Sequence, residues 1–545
     1  MSHVSHKAVV TIACLAAALV AGCTTTTASV SQSGAPTSTG PSTSTGTALQ
    51  SASLDDGLAC KAGMAKSALN FGAASDPSTG LDPLSAQGPS SQLEAVYDTL
   101  MQFDYTKNAY APEAASSLAS NPAHTVWTLT LNPNVRFGNG DPLTASDVKD
   151  NIARFQNPKA PNAFSEQVAL IKTMSVQGPD KLVFTLSEPW GSFPYLLTQN
   201  PGMIVNPAAL AQYGEKRIDT LPPAAAGVGP FVAASFTAGQ QMTVTAKSSW
   251  WGGPICLSSV TFTLIVDGQT AYQTFQAGQI QAFQTFTSNV EMEVQNAGIR
   301  QVVQPVPIIS PALIHIAAGG ALASLDLRKA MQYSQDLQLI NQRIYDGAGV
   351  ATASLIVPGS PDAPTVKPLG YDLTAAKTAA AAFEKAYPGT TLTYLNNAAA
   401  LQENLALLQT SFWKTAGLTV SHSNVTQDQL VQQVYVNRNY QAVQWGIEPD
   451  PACIWCSLTS FATGDPANLS GYSNPGMDAA LTQLRAASTT AQTQTAMNAV
   501  QTVWNETVPE PLAGTLLYTV AMNSKLHGLQ YNTGDVILFN QAYLG

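Results

Sequence analysis

Six cysteines give this chain its best candidates for covalent chemistry. Two of them, Cys14 and Cys23, lie in the amino-terminal segment, and the other four are Cys60, Cys256, Cys453 and Cys456. Once Cys14 and Cys23 are set aside, four cysteines remain. An even number of cysteines in an oxidising compartment predicts disulfides, here two, and the spacing alone leaves open all three ways of pairing four cysteines.

Cys453 and Cys456 have the C-x-x-C spacing of a redox motif. The flanking residues do not predict the strand and helix of a thioredoxin-like site, so a structural bridge is the favoured interpretation. A zinc site needs further ligands, and no histidine lies near this pair in the sequence.

Two S-x-x-K matches, Ser146 with Lys149 and Ser411 with Lys414, are the features that would fit a secreted cell-wall serine enzyme. Neither is accompanied by Ser-Asp-Asn or Lys-Thr-Gly, and patterns this short arise by chance. The sequence also lacks G-x-S-x-G, H-E-x-x-H and Walker motifs. We therefore expect no enzyme activity, no cofactor and no resident metal.

The amino-terminal segment predicts export. Lys7 and the apolar run 8–19 have the layout of a signal peptide, and small residues precede Cys23 as in a bacterial lipobox. We expect residues 1–22 to be removed and Cys23 to carry a lipid; an ordinary cleaved signal is the alternative. Residues 24–54 contain no charged residue, so 23–54 is predicted to be a flexible, lipid-anchored linker.

Composition limits the function of the rest of the chain. Only 11% of the residues are charged and the net charge is −10. This argues against nucleic acid as a partner, because phosphate binding needs a basic surface. Residues 55–545 are too many for one compact core and predict two or three lobes. No later segment is long and apolar enough for a transmembrane helix.

Alternating residues predict several strands. Residues 68–74 and 181–186 are two of them. The clearest is 126–131, where one face carries Trp127, Leu129 and Leu131. We expect these side chains to lie in a core rather than at a ligand.

Two further segments predict helices, and together with the strands they indicate an α/β protein. Residues 92–101 carry apolar side chains at helical spacing. Thr144 and Asp147 form a capping box that begins a second helix. Its predicted buried stripe consists of Val148, Ile152 and Phe155.

An ordered set of short motifs resembles the extracellular solute-binding protein family 5, the peptide- and nickel-binding receptors of ABC importers. The motifs are 81–83 (LDP), 97–100 (YDTL), 127–131 (WTLTL), 135–137 (VRF), 140–148 (GDPLTASDV), 227–231 (GVGPF), 250–253 (WWGG), 327–333 (LRKAMQY), 345–347 (YDG) and 471–478 (GYSNPGMD). Each is weak alone, but their shared order extends over nearly the whole chain after the linker.

The resemblance implies an α/β, bilobal periplasmic-binding-protein-like fold of type II, in the large peptide-binding class. The first lobe is expected to comprise 55–306 and 511–545, with an extra subdomain inserted at about 94–201. The second lobe is expected to comprise 307–510. Ligand would lie between the lobes and be enclosed by a hinge motion.

The resemblance also selects one loop as the ligand site. In peptide-binding relatives, a tryptophan is followed three residues later by an aspartate that pairs with the α-amino group of the peptide. Glu448 has that spacing from Trp445 here, and a carboxylate is the partner that an enclosed ammonium needs. Asp450 is the alternative anchor, and both residues could instead be solvated carboxylates in a proline-stiffened loop.

Three further residues complete the expected site. Gly446 lies in the same loop, and either Trp445 or Trp455 would supply a flat apolar wall. Asp82, from the LDP motif, is a candidate contact from the first lobe, although an aspartate before proline also begins turns.

The implied function is that of a substrate-binding lipoprotein of an ABC importer. It would capture a short peptide and deliver it to permease subunits that work with separate ATPase subunits. We expect a monomer outside the bacterial cytoplasm, held at the cell membrane by its lipid anchor only. Alternative cargoes are an oligosaccharide, glutathione, an opine or a nickel chelate. Nickel is disfavoured because the histidines that follow the linker are scattered singly.

Overall fold

The structure is a computed structural model that describes residues 56–77, 79–160, 162–303, 307–516, 518–534 and 536–545, without the side chains at 427 and 428. The predicted signal peptide (1–22), the lipidation site Cys23 and the linker (23–54) lie outside these residues. Three main sheets organise the described chain.

The largest sheet has seven strands, with Ser67–Ala73 at its centre. In spatial order the strands are Arg300–Val303, Thr519–Met522, Ala282–Thr285, Ser67–Ala73, Leu257–Leu264, Gln241–Ala246 and Phe231–Thr237. The central strand runs parallel to both of its neighbours, and parallel strands of this kind are normally buried on both faces. The predicted first strand at 68–74 is confirmed with a shift of one residue.

A separate antiparallel sheet of four strands forms a smaller unit. In spatial order its strands are Ala115–Ser120, Val126–Leu131, Lys181–Leu186 and Ile171–Val176. Trp127, Leu129 and Leu131 are buried on one face, as their alternation predicts. The helix Ala145–Phe155 begins at the predicted capping box of Thr144 and buries the predicted stripe in the core of this unit.

The third sheet has five strands and lies in the carboxy-terminal half of the chain. In spatial order they are Thr419–Val425, Thr391–Asn397, Ala442–Gln444, Ile308–Ile314 and Leu512–Leu516. Around this sheet are the helices Leu325–Tyr333, Leu337–Ile344, Leu373–Ala386, Ala400–Ala416, Gln427–Val431, Ile454–Leu458, Pro475–Ala486 and Thr490–Thr507.

The other elements belong to the part of the chain built on the first two sheets. The helices are Ser91–Tyr97, Ser165–Ala169, Pro207–Tyr213, Glu215–Thr220, Gly268–Gln276 and Ser288–Asn296. The short strand pairs are Met101–Asp104 with Ala109–Pro112, Leu526–His527 with Tyr543–Leu544, and Gln530–Tyr531 with Ile537–Leu538. Within the described ranges, no helix has the length and apolar character needed to cross a membrane.

One predicted helix is shorter than expected. Residues 92–101 predict a single helix, but the helix ends at Tyr97 and a strand begins at Met101. Asp98 has a positive φ of 57°, and its N–H still bonds the Glu94 carbonyl before the chain turns away. A backbone turn at Asp98 therefore overrides the apolar spacing.

We call the part built on the seven- and four-stranded sheets the first lobe, and the part built on the five-stranded sheet the second lobe. Arg300–Val303 belongs to a first-lobe sheet and Ile308–Ile314 to the second-lobe sheet, and Leu512–Leu516 belongs to the second-lobe sheet and Thr519–Met522 to a first-lobe sheet. Leu512–Leu516 pairs with Ile308–Ile314 of the second-lobe sheet. We therefore propose that the second lobe extends to residue 516, instead of ending at residue 510 as expected from the sequence. The other expected domain limits stay proposals.

Candidate functional site

The loop selected from the sequence leaves the five-stranded sheet and reaches the first lobe. The strand Ala442–Gln444 precedes it, and the backbone of Ile447 exchanges two hydrogen bonds with Ile309. We call residues 450–456 the docking segment, because they make the contacts with the first lobe described below. The residues between, 445–449, link the second-lobe sheet to this segment.

Asp450 is a buried carboxylate that bridges the two lobes. Its Oδ1 accepts hydrogen bonds from the Tyr105 hydroxyl at 2.9 Å and the Ala452 N–H at 2.8 Å, and its Oδ2 accepts one from the Gly534 N–H at 2.9 Å. Burial raises its pKa, against the opposing effect of these hydrogen bonds. Asp450 is 4% exposed, so the alternative of a solvated carboxylate is wrong for this residue.

Glu448 differs from Asp450 because its side chain is exposed. Burial raises the pKa of the Tyr195 phenol well above its usual range, and the carboxylates of Asp450 and Glu448 raise it further. This electrostatic effect places Glu448 of the second lobe near Tyr195 of the first. Glu448 and Tyr195 thus lie within range of an electrostatic interaction across the two lobes.

The other residues of the link are packed within the second lobe. The half-buried Trp445 ring lies 5.4 Å from the Tyr435 ring, and the Trp445 backbone N–H donates to the Pro311 carbonyl at 3.1 Å. A side chain at Gly446 would make only ordinary contact with Ile308. Glycine is therefore not required there by a close approach of the backbone.

The docking segment enters the hydrophobic core of the first lobe. Cys453 is 1% exposed and belongs to the cluster that fills the four-stranded unit. The Ser192 hydroxyl lies 3.2 Å from the Cys453 sulfur, and the Tyr110 hydroxyl donates to the Ala452 carbonyl. Cys453 is bonded to Cys456, and its sulfur also caps the helix Ile454–Leu458. The disulfide expected for this pair is present.

Trp455 extends the same contact. Its ring lies 5.5 Å from the Trp190 ring in an edge-on arrangement, and the Arg485 guanidinium lies 5.6 Å from its centroid. The Arg485 carbonyl accepts a hydrogen bond from the Gly191 N–H at 2.8 Å. Trp455 therefore packs between protein groups, which does not fit the role of an open wall for ligand.

Asp82 is held within the first lobe. Its Oδ2 pairs with Arg154 at 2.5 Å and its Oδ1 accepts from the Leu84 N–H at 3.0 Å. Asp82 is 4% exposed, so these contacts account for its conformation as a buried turn residue. Asp450 and Trp455 thus contact the first lobe and Glu448 lies in the exposed link before them, whereas Asp82 is held within the first lobe.

The remaining sequence candidates have local partners. The second disulfide joins Cys60 to Cys256 in the first lobe. Ser411 donates to the Leu408 carbonyl of its own helix at 2.7 Å, an ordinary helical contact. Over the described ranges, no three histidine, cysteine or acidic side chains form a possible metal site.

A buried polar network lies behind the contact of Asp450 with the first lobe. The Asn532 amide donates to Glu94 at 2.7 Å, two residues before the Gly534 N–H that bonds Asp450. Burial, together with the neighbouring Asp98 carboxylate, raises the pKa of Glu94 to about 8. At neutral pH, Glu94 is therefore predominantly protonated.

No motif in the sequence indicates the first-lobe half of this site. Tyr105 and Tyr110 lie on a short hairpin, Tyr195 follows the four-stranded unit, and Gly534 lies near the carboxy terminus. Only the three-dimensional contacts bring them to the loop. The exposed Glu448 carboxylate, which interacts electrostatically with Tyr195, is a candidate partner for a cation or a hydrogen-bond donor.

Comparisons with known proteins agree on one family. A model described as bacterial extracellular solute-binding proteins, family 5 Middle, matches residues 109–468. The probable D,D-dipeptide-binding periplasmic protein DdpA of Escherichia coli (strain K12) is 26% identical over 511 residues, covering 88% of this chain and 94% of that protein. The periplasmic murein peptide-binding protein MppA of the same strain is 24% identical over 467 residues, covering 80% and 85%.

Solved structures agree on the fold. The oligopeptide-binding protein AppA from Bacillus subtilis, in complex with a nonapeptide, matches with a TM-score of 0.73 at 19% identity, covering 88% of this chain and 99% of that chain. The predicted α/β, bilobal periplasmic-binding-protein-like fold is confirmed by this likeness.

Proposed function

Because the chain belongs to the bacterial extracellular solute-binding proteins of family 5, we propose that it captures a short peptide between its two lobes. Members of this family bind a solute and do not transform it, so the chain is a binding protein and not an enzyme. The peptide nature of the cargo is supported by relatives whose names specify dipeptide and murein peptide.

Glu448 is the proposed anchor for the amino terminus of the peptide. The observation that carries this assignment is the contrast between the two acidic residues of the loop: Glu448 is exposed near Tyr195, whereas Asp450 is buried in contacts with the protein. An ammonium enclosed between the lobes would pair with the Glu448 carboxylate in a charge-assisted hydrogen bond. Asp450 instead holds the neighbouring segment in place.

The peptide would close the cleft by contacting both lobes at once. A ligand stabilises a closed state only as far as it binds that state better than the open one. With Glu448 on the second lobe and Tyr195 on the first, a bound amino terminus would contact both sides. The remaining peptide backbone would add as an extended strand, a mode that tolerates varied side chains.

We also propose the cellular setting inferred from the sequence. Cys23 would carry a lipid and residues 23–54 would tether the body to the outer surface of the bacterial cell membrane. The closed protein, acting as a monomer, would deliver peptide to an ABC permease driven by separate ATPase subunits.

The test of the anchor is calorimetric titration of short peptides into wild type and Glu448→Gln. Glutamine keeps the size and removes the charge, so we expect the affinity for a free peptide to fall by more than tenfold. Glu506→Gln is the matched control, because Glu506 is also exposed on the second lobe. An amino-acetylated peptide should bind wild type and Glu448→Gln equally.

Two results would contradict this assignment. Equal affinity of wild type and Glu448→Gln for the free peptide would exclude Glu448 as the anchor. Failure of every peptide in a length series to bind, with binding of a sugar or metal chelate instead, would exclude peptide as the cargo while leaving the family assignment intact.

A further inference from the structure

The disulfide in the docking segment lies where the two lobes meet. Cys453 is buried among first-lobe side chains, although its neighbours in sequence belong to the second lobe. Two residues away, Trp455 packs on Trp190, also of the first lobe. The bridge therefore shapes the part of the second lobe that contacts the first.

The two acidic residues before the bridge are connected to it by a short stretch of backbone. Asp450 begins the docking segment, and its side chain bonds the N–H of Ala452 within that segment. Glu448 lies two residues before Asp450, with Pro449 between them. Proline restricts its own φ and the backbone conformation of the residue before it. The position of Glu448 therefore depends on the conformation of the docking segment.

We propose that the Cys453–Cys456 disulfide is a positioning element of the ligand site, and that its reduction weakens ligand binding. The part concerning ligand rests on the proposed function. The part concerning docking of the two lobes stands independently of it, since the contacts of Cys453 and Trp455 with the first lobe involve no ligand.

The two sulfur atoms differ in their accessibility to a reductant. Cys456 is half-buried and Cys453 is buried, so an external dithiol would attack the sulfur of Cys456. One thiol of the reductant would form a mixed disulfide there and release Cys453 as a thiolate, which takes up a proton. The second thiol of the reductant would then displace Cys456, leaving two protein thiols and an oxidised cyclic dithiol.

The first disulfide offers an internal comparison. Cys60 and Cys256 are 5% and 2% exposed, and their bridge lies in the first lobe near the start of the described chain. Its two cysteines are 196 residues apart in sequence, whereas Cys453 and Cys456 are three residues apart. In the chain-entropy view, the long loop contributes more to global stability than the short one. Loss of the long-range bridge should thus mainly lower Tm, whereas loss of the short bridge should mainly raise the Kd for ligand.

The experiment compares Cys456→Ser with the double variant Cys60→Ser/Cys256→Ser. Cys456→Ser breaks only the short bridge and leaves the Cys453 sulfur in its core. Without the bridge, the short loop should sample on the order of ten times more conformations, of which only a fraction is competent to bind. We therefore expect the Kd for a short peptide to rise about tenfold in Cys456→Ser. The double variant should lower Tm more and leave the Kd within twofold of wild type.

Two further measurements keep the proposal testable if a variant folds poorly or no peptide binds. Acrylamide quenching of Trp455, isolated by subtraction of Trp455→Phe, should increase in Cys456→Ser without any ligand. In wild type, titration with dithiothreitol should weaken peptide binding. Alkylation and mass spectrometry then measure the reduced fraction of Cys456, and the loss of binding should follow that fraction.

The outcomes separate this proposal from the proposed function. Unchanged quenching of Trp455 in Cys456→Ser would overturn the docking role of the bridge, whatever ligand binds. Increased quenching with an unchanged peptide Kd would overturn its role in positioning the ligand site. If wild type binds no peptide and quenching still increases, the peptide assignment fails while the docking role is supported.

Discussion

The replacement of Asp450 by asparagine tests whether this residue joins the lobes or binds ligand. The aspartate accepts three hydrogen bonds, from Tyr105, Ala452 and Gly534. Asparagine has the same shape but only one oxygen. If that oxygen keeps the contacts with Tyr105 and Ala452, the amide nitrogen faces the Gly534 N–H, and two donors oppose each other.

The expected cost follows from these contacts. The variant loses a hydrogen bond to a charged acceptor, which is typically worth about 1.5–3 kcal/mol, and leaves the Gly534 N–H without that acceptor. A neutral amide also avoids part of the desolvation penalty that raises the pKa of Asp450, which offsets some of the loss. We therefore expect Asp450→Asn to destabilise the contact between the lobes by about 2 kcal/mol.

Denaturant unfolding and peptide titration together measure this effect. Asp450→Asn should lower the unfolding midpoint, whereas Glu448→Gln should leave it near the wild-type value. Tyr105→Phe removes a first-lobe partner of Asp450, so the effects of Asp450→Asn and Tyr105→Phe should not be additive. A stable Asp450→Asn variant that has lost peptide binding would refute this reasoning and identify Asp450 as the anchor.

Two further predictions concern the first lobe. Burial raises the pKa of Glu94 from 4.5 to about 8, so the folded state holds a proton that the unfolded state releases, and stability should fall between these pH values by at most about 5 kcal/mol. Glu94→Gln should reduce this fall in denaturation midpoints without abolishing it, because burial also raises the pKa of Asp98 to about 7 and that of Glu510 to about 8. An unchanged pH profile would contradict the raised pKa of Glu94. A Cβ at Gly191 would lie 2.0 Å from the Ala487 carbonyl oxygen, so Gly191→Ala should lower Tm and increase quenching of Trp455. Gly370→Ala, with nothing within 4 Å of the added atom, is the control, and equal Tm values would refute the clash.

The elements with the strongest local patterns were predictable from the sequence. The strand Val126–Leu131 has the predicted limits, because alternation over six residues fits a half-buried strand. The helix after Thr144 was equally clear, since its capping box and apolar stripe indicate the same start and the same buried face. In these segments, local geometry and burial agree.

The candidate site was only partly predictable, because it depends on contacts between residues far apart in sequence. The loop around Glu448 could be selected from its resemblance to the family, but Asp450 and Glu448 could not be distinguished. The burial of Asp450 depends on Tyr105 and Gly534, and Gly534 lies 84 residues further along the chain. The spacing of residues 444–451 does not predict such long-range contacts.

The loop also explains how a ligand at Glu448 could influence both lobes. On one side, Ala442–Gln444 is hydrogen-bonded into the second-lobe sheet. On the other side, the docking segment is held by the first lobe through Asp450 and Cys453. A relative movement of the lobes must therefore change the backbone of residues 445–449 or release the docking segment. Because Glu448 lies in this link, a ligand bound to its carboxylate would favour the lobe arrangement in which the link fits that ligand.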